Sequence, residues 1–234
     1  MKDFSQKNQV LKLLSEKSCM KQDVFAKTTS VFVDLKEVIK EIVEELRAVM
    51  DSKDQRVEIG YKSRGMYEAE LKFAGDVLLF HMHTNVFDFD ASHFIRKTSY
   101  SKENEYNTFC GMINVYNFLA DSLKYNRVND SGYLVARIFV NREGHFFVEG
   151  KKQLGFLYND FVQSQISKAE LRKIVESAMI YTLDFDLLTP PYDAMSEITV
   201  HEVDQLTNQM KVKTAKRLGF RFQTDESALG DKKS

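Results

Sequence analysis

The apolar residues of this chain recur at two different periods, and the switch between them decides the fold class. From Asp34 to Met50 the apolar positions Leu35, Val38, Ile39, Ile42, Leu46, Val49 and Met50 follow at steps of mostly three and four, with charged residues between them. That spacing draws one apolar stripe along an α-helix. From Arg56 onward the step falls to two, the period of a strand whose side chains alternate between faces. A run of strands with helices before and after it predicts an α+β fold. The expected architecture is an antiparallel, meander-type sheet of five to seven strands over about 56–161, with the N-terminal and C-terminal helices on one face or an edge.

Local signals set the element bounds. Asp34, with Glu37 three residues on, reads as the cap of a helix over about 34–50, and Asp51, Ser52 and Lys53 end its pattern. A weaker periodicity through Phe4, Val10, Leu11 and Leu14 predicts an earlier helix over about 4–16. Tyr67 to Phe73, the Ala74-Gly75-Asp76 link and Val77 to Thr84 read as one hairpin. Tyr133 to Val140, the turn Asn141 to Gly144 and His145 to Glu149 read as another. Thr108 to Tyr116 and Leu154 to Phe161 are short apolar runs taken as strands, although such runs do not separate strand from helix. Ser167 with Glu170 and Thr199 with Glu202 start helices over about 168–182 and 200–218. The Leu188 to Tyr192 stretch between them, with Pro190 and Pro191, is extended.

Ten glycines and two adjacent prolines make no linker-like stretch, so residues 1–222 are expected as one domain and the polar residues 223–234 as a disordered tail. Hydrophobic residues at 43% against 29% charged supply a sizeable core. A formal charge of −1 gives no global pull toward nucleic acid or an anionic membrane. Cys19 and Cys110 belong to no metal or disulfide pattern and read as free thiols in a reducing compartment. Residues 1–21 are charged throughout and hold no apolar run of signal-peptide length, so the expected location is the cytoplasm, with no membrane partner.

Candidate chemistry is sparse. His81 and His83 are two apart on an expected strand, so both imidazoles share a face and can reach one metal ion. Further ligands would have to come from Asp88, Asp90 or His93, but both aspartates have the opposite parity unless a bulge intervenes near Thr84 and Asn85. Two ordinary surface histidines are the competing reading. Glu68 with Glu70, and Asp184 with Asp186, have the spacing of paired carboxylates, which solvated alternation explains equally well. No glycine-rich phosphate loop, nucleophile elbow or HExxH motif is present, so an enzyme is not expected and no cofactor is implied. Lys211, Lys213, Lys216, Arg217 and Arg221 form a basic run without an acidic residue between Gln205 and Gln223. It suits phosphate contact or simply the negative end of a helix.

The function expected from these residues is a non-enzymatic protein-interaction or scaffold domain that self-associates, as a homodimer, through an apolar helix stripe or a sheet edge. Tyr61, Tyr116, Tyr133 and Phe139 are expected to line the less apolar sheet face. One alternative is a small-ligand or metal site on that face around His81 and His83. A second is nucleic-acid contact by the run from Lys211 to Arg221.

Overall fold

The computed structural model describes residues 2–155, 160–185, 197, 199–201, 203 and 204. Two compact units divide the chain: Met1–Ala120 with Asn129–Phe185, and Asp121–Val128 with Asp186–Ser234. The second contains most of α4 (Ala120–Lys124) and four helical residues, Val200, His201, Val203 and Asp204. The rest of the expected helix over 200–218, the basic run from Lys211 to Arg221 and the tail 223–234 lie outside the described residues.

The first unit begins with one uninterrupted helix. α1 (Lys2–Leu13) passes through a π turn (Leu14–Ser18) into α2 (Cys19–Met50), and the backbone stays helical at both junctions. The two helices expected over 4–16 and 34–50 are therefore joined, and Asp34 lies inside α2 rather than at its cap. The join holds because the apolar stripe extends backward through Met20, Val24, Thr28, Val31 and Phe32, all buried. Hydroxyls at Thr28 and Thr29, residue types that favour breaks, donate instead to the carbonyls of Val24 (2.7 Å) and Phe25 (2.9 Å) one turn back.

Six antiparallel strands follow in meander order: β1 (Ile59–Ser63), β2 (Glu68–Phe73), β3 (Asp76–Met82), β4 (Cys110–Leu119), β5 (Tyr133–Asn141) and β6 (Phe146–Gly150). Both expected hairpins are present. The expected strand over 154–161 is not: Lys152–Gly155 is a 3₁₀ turn, residues 156–159 lie outside the described residues, and Phe161 is buried without strand pairing. A short apolar run signals burial there, not extension.

The inner sheet face, with Leu71, Phe80, Ile113, Ile138 and Val148, packs against α2 and α5 (Lys168–Leu183). Ser167 caps α5 as expected, its hydroxyl accepting from the Glu170 amide at 3.2 Å. Arg172 binds both Glu45 oxygens at 2.8 and 2.9 Å and Glu41 at 3.3 Å, while Lys168 binds Glu37 at 2.6 Å. These hydrogen bonds hold the Glu37 and Glu45 carboxyls below the ordinary carboxylate range.

The outer face is covered in part by the long β3–β4 connection. That connection carries 3₁₀ turns at Phe94–Lys97 and Glu105–Thr108 around α3 (Ser99–Glu103), and it buries Ile95 against Cys110, Phe139, Phe147 and Phe161. A buried polar knot fastens it to the β5–β6 turn. The Asn141 amide donates to the Tyr100 hydroxyl (2.9 Å) and the Asn107 carbonyl (3.3 Å), and Tyr100 donates to Glu143 at 2.6 Å. Burial, then the bond to Glu143, pushes the Tyr100 phenol well above its ordinary value.

The helix lies against the sheet without room for a side chain at one glycine. A methyl group on Gly111 would come within 2.1 Å of the Thr28 hydroxyl, so no larger residue fits there without moving α2. Gly111→Ala is therefore expected to lower stability by about 1–3 kcal/mol, read from the shift of the urea midpoint at unchanged slope.

Candidate functional site

The outer face carries a polar row that crosses five strands. Glu68 of β2 pairs with His81 of β3, His81 with Asn114 of β4, Asn114 with Arg137 of β5, and Arg137 with Glu149 of β6. Their neighbours along each strand, Ala69, Phe80, Ile113, Ile138 and Val148, are buried in the inner core, so alternation puts the row on the outer side. Arg137 pairs with Glu149, and its guanidinium lies 5.6 Å from the Phe139 ring centre. His93 stacks on Phe89 at 4.5 Å, with Nε2 3.8 Å from Glu149.

His81 and His83 share a neighbourhood, as their spacing implies. Both line a cleft of about 340 Å³ with Arg64, Met66, Tyr67, Glu68, Met82 and Thr84. The His83 amide donates to Met112 at 2.8 Å, and its Nδ1 accepts from the Asn85 amide at 3.0 Å. The neutral ring therefore carries its proton on Nε2. Two of the other expected metal ligands, Asp88 and His93, are committed elsewhere. Asp88 accepts from Arg96 (2.5 Å) and Thr108 (2.7 Å), and His93 is held in the aromatic stack. Among the described residues no three His, Cys, Asp or Glu side chains are grouped to hold a metal ion.

The remaining candidates separate. Glu70 shares the outer face with Glu68 but forms an ion pair with Arg64. Asp184 ends α5, its amide donating to Ile180 at 3.0 Å, and Asp186 lies outside the described residues. The four aromatic residues expected on the outer face do not converge. Tyr61 packs on the inner core, with Lys40 5.4 Å above its ring, and Phe139 is buried in a stack on Phe147 at 4.8 Å. Tyr133 is exposed at the start of β5, and Tyr116 is half-buried beside the register shift where Val135 of β5 is left unpaired. Strand parity and this register shift account for the dispersal.

A larger groove, about 560 Å³, opens on the other side of Tyr67 and Thr84, which line both spaces. Lys21, Gln22 and Phe25 of α2 form one wall, and Asn85, Val86 and Phe87 complete it. Nothing in the sequence points to this site, because its residues come from three segments that only the tertiary fold assembles.

At the far end of the long helix, residues 5–19 are all exposed. Val10, Leu11, Leu13 and Leu14 each keep between 51% and 55% of their surface in solvent. Among the described residues no helix is long and apolar enough to cross a membrane.

Comparison with known proteins finds no family model, no curated protein and no solved structure that matches the chain.

The two thiols differ in environment. Cys19 is exposed, whereas Cys110 is fully buried in the outer aromatic cluster, where desolvation and then the Asp88 charge push its pKa up. The folded protein is expected to take up one equivalent of maleimide at mildly alkaline pH, at Cys19. A second equivalent should follow only on unfolding, as counted by intact mass.

Proposed function

We propose that the chain is a protein-interaction module that forms a homodimer by antiparallel pairing of its N-terminal helical arm, residues 5–18. The observation that carries this reading is four half-exposed aliphatic residues on a helical arm whose residues 5–18 are all exposed. A helix of this length, with Ser5, Asn8, Ser15 and Ser18 in it, is marginal in water and draws stability mainly from packing. Completing the burial of Val10, Leu11, Leu13 and Leu14 is worth about 1 kcal/mol per residue.

A second copy suits the arm because its sequence is complementary to itself. In an antiparallel pair centred between Leu11 and Lys12, Val10 lies opposite Leu13, and the match occurs twice. The π turn requires more residues per turn than an α-helix, which takes the arm's aliphatic residues out of phase with the buried stripe of α2. They are then left to a partner rather than to the protein's own core.

Sedimentation velocity of the full chain over a broad concentration range is expected to show a monomer–dimer equilibrium. Leu11→Asp with Leu14→Asp should weaken it by more than about tenfold while leaving the thermal unfolding of the sheet in place. A protein that stays monomeric at every concentration contradicts the reading, as does a dimer indifferent to these changes.

A second reading is favoured by the cleft at His81 and His83. There the Glu68 carboxylate and the His83 Nε2 proton offer an acceptor and a donor to a small polar ligand. Titration with small polar fragments should give saturable binding that His81→Ala with His83→Ala removes. Equal binding by parent and double variant would eliminate the cleft.

A further inference from the structure

We infer that the groove between α2 and residues 84–87 binds an anionic ligand with a flat apolar body, its carboxylate at Lys21 and its ring between Phe25, Tyr67 and Phe87. This site lies at the base of the arm, from which it draws Lys17, and borders the histidine cleft, with which it shares Tyr67 and Thr84.

The walls supply the apolar half. Phe25 and Tyr67 meet edge to face at 6.2 Å, and Phe87 meets the His83 ring edge to face at 4.8 Å. Each ring is held by a neighbour, yet Phe25, Tyr67 and Phe87 are only half-buried, so aromatic surface remains open to the groove. Rings fixed in this way stack on a flat ligand with little loss of side-chain freedom. The volume, about 560 Å³, lies in the range of ordinary small-ligand sites.

The charge supplies the other half. Lys17 and Lys21 both lie over the Phe109 ring, at 5.3 and 5.7 Å from its centre. This contact positions two ammonium groups one helical turn apart, and Lys21 borders the groove itself. Neither lysine has a carboxylate within ion-pair distance among the described residues, in contrast to Lys72, Lys168 and Lys173. Asp88, the acidic side chain next after Phe87, is already bonded to Arg96 and Thr108. The groove therefore has one cation, Lys21, at its edge, with Lys17 one turn away, and no acidic side chain in its lining. Gln22, Thr84 and Asn85 complete a polar rim suited to the second oxygen of a carboxylate.

The shared chemistry, an aromatic ring a few bonds from a carboxylate, is met by a free arylalkyl acid and by a peptide ending in an aromatic residue. Two-dimensional amide NMR of the full chain, titrated with 3-phenylpropionate, tests the site. Saturable shifts are expected at Gln22, Phe25, Asn85 and Phe87, with affinity falling as salt is raised. 3-Phenylpropanamide, which lacks the charge, should bind at least about tenfold more weakly. Lys21→Glu should cause a comparable loss, Lys21→Arg should retain binding, and Phe87→Ala should lose it while the rest of the spectrum is unchanged. N-acetylphenylalanine binding more tightly than 3-phenylpropionate identifies a peptide terminus as the ligand, and the reverse order identifies a free acid. Equal affinity for acid and amide overturns the inference, as do shifts confined to other residues or an absence of saturation.

Discussion

How closely α2 can lie on the sheet is set where Thr28 meets Gly111, and the rest of the first unit depends on that approach. A side chain at residue 111 would lift the helix off β4. With hydrogen there, Val24, Phe32, Leu35 and Ile39 are buried at or near zero exposure, and α5 joins the same layer through Leu171, Ile174 and Val175. Close packing is what turns an amphipathic stripe into stability, since each large side chain fully removed from water is worth about 1.5–3 kcal/mol. Thr28 meets both demands of the position. It is small enough to face a strand backbone, and its hydroxyl returns to the Val24 carbonyl instead of being left unpaired in the core.

The outer face is organised differently. Part of it is closed by the β3–β4 connection, whose Phe89 ring meets Phe139 and Phe147 edge to face and whose Tyr100 hydroxyl and Asn107 carbonyl accept from the Asn141 side chain. Beside the covered part runs the row from Glu68 to Glu149, where strand register alone brings together residues far apart in sequence. The grooves beside Tyr67 lie where β2 begins and β3 ends, at the border between sheet and connection. Clefts form at such borders because a loop cannot follow the sheet surface closely without leaving backbone groups unpaired.

Legibility in the sequence followed the range of the interaction. The two hairpins and the Ser167 cap were readable because alternation, turn residues and a capping hydroxyl act within a few positions. The continuity of α1 with α2 was not. Asp34 with Glu37 looks like a helix start, and the i−4 bonds that carry Thr28 and Thr29 within the helix exist only once it has formed. The common neighbourhood of His81 and His83 followed from parity, whereas the fate of Asp88 depended on Arg96 and Thr108, partners that strand periodicity cannot name. Tyr61 and Phe139 were assigned to one face before register was known, and register sent them to opposite sides. The groove of Lys21, Phe25, Tyr67 and Phe87 left no local pattern at all.

The arm leaves a run of four aliphatic residues half exposed, and its pairing with a second copy is the central claim. The native thiols give a direct measurement, because Cys19 is exposed at the base of the arm and Cys110 is buried. A nitroxide on Cys19 of the otherwise unaltered chain reports the distance between the two arms of a dimer by pulsed dipolar spectroscopy. Antiparallel pairing sets residue 19 of one copy opposite residue 4 of the other, which separates the two labelled backbones by roughly 25 Å, combining helix rise with interaxial spacing. One distance population near that value is the predicted result. A distance near 10 Å, as parallel arms would give, or no dipolar signal at concentrations where the protein sediments as a dimer, would contradict it.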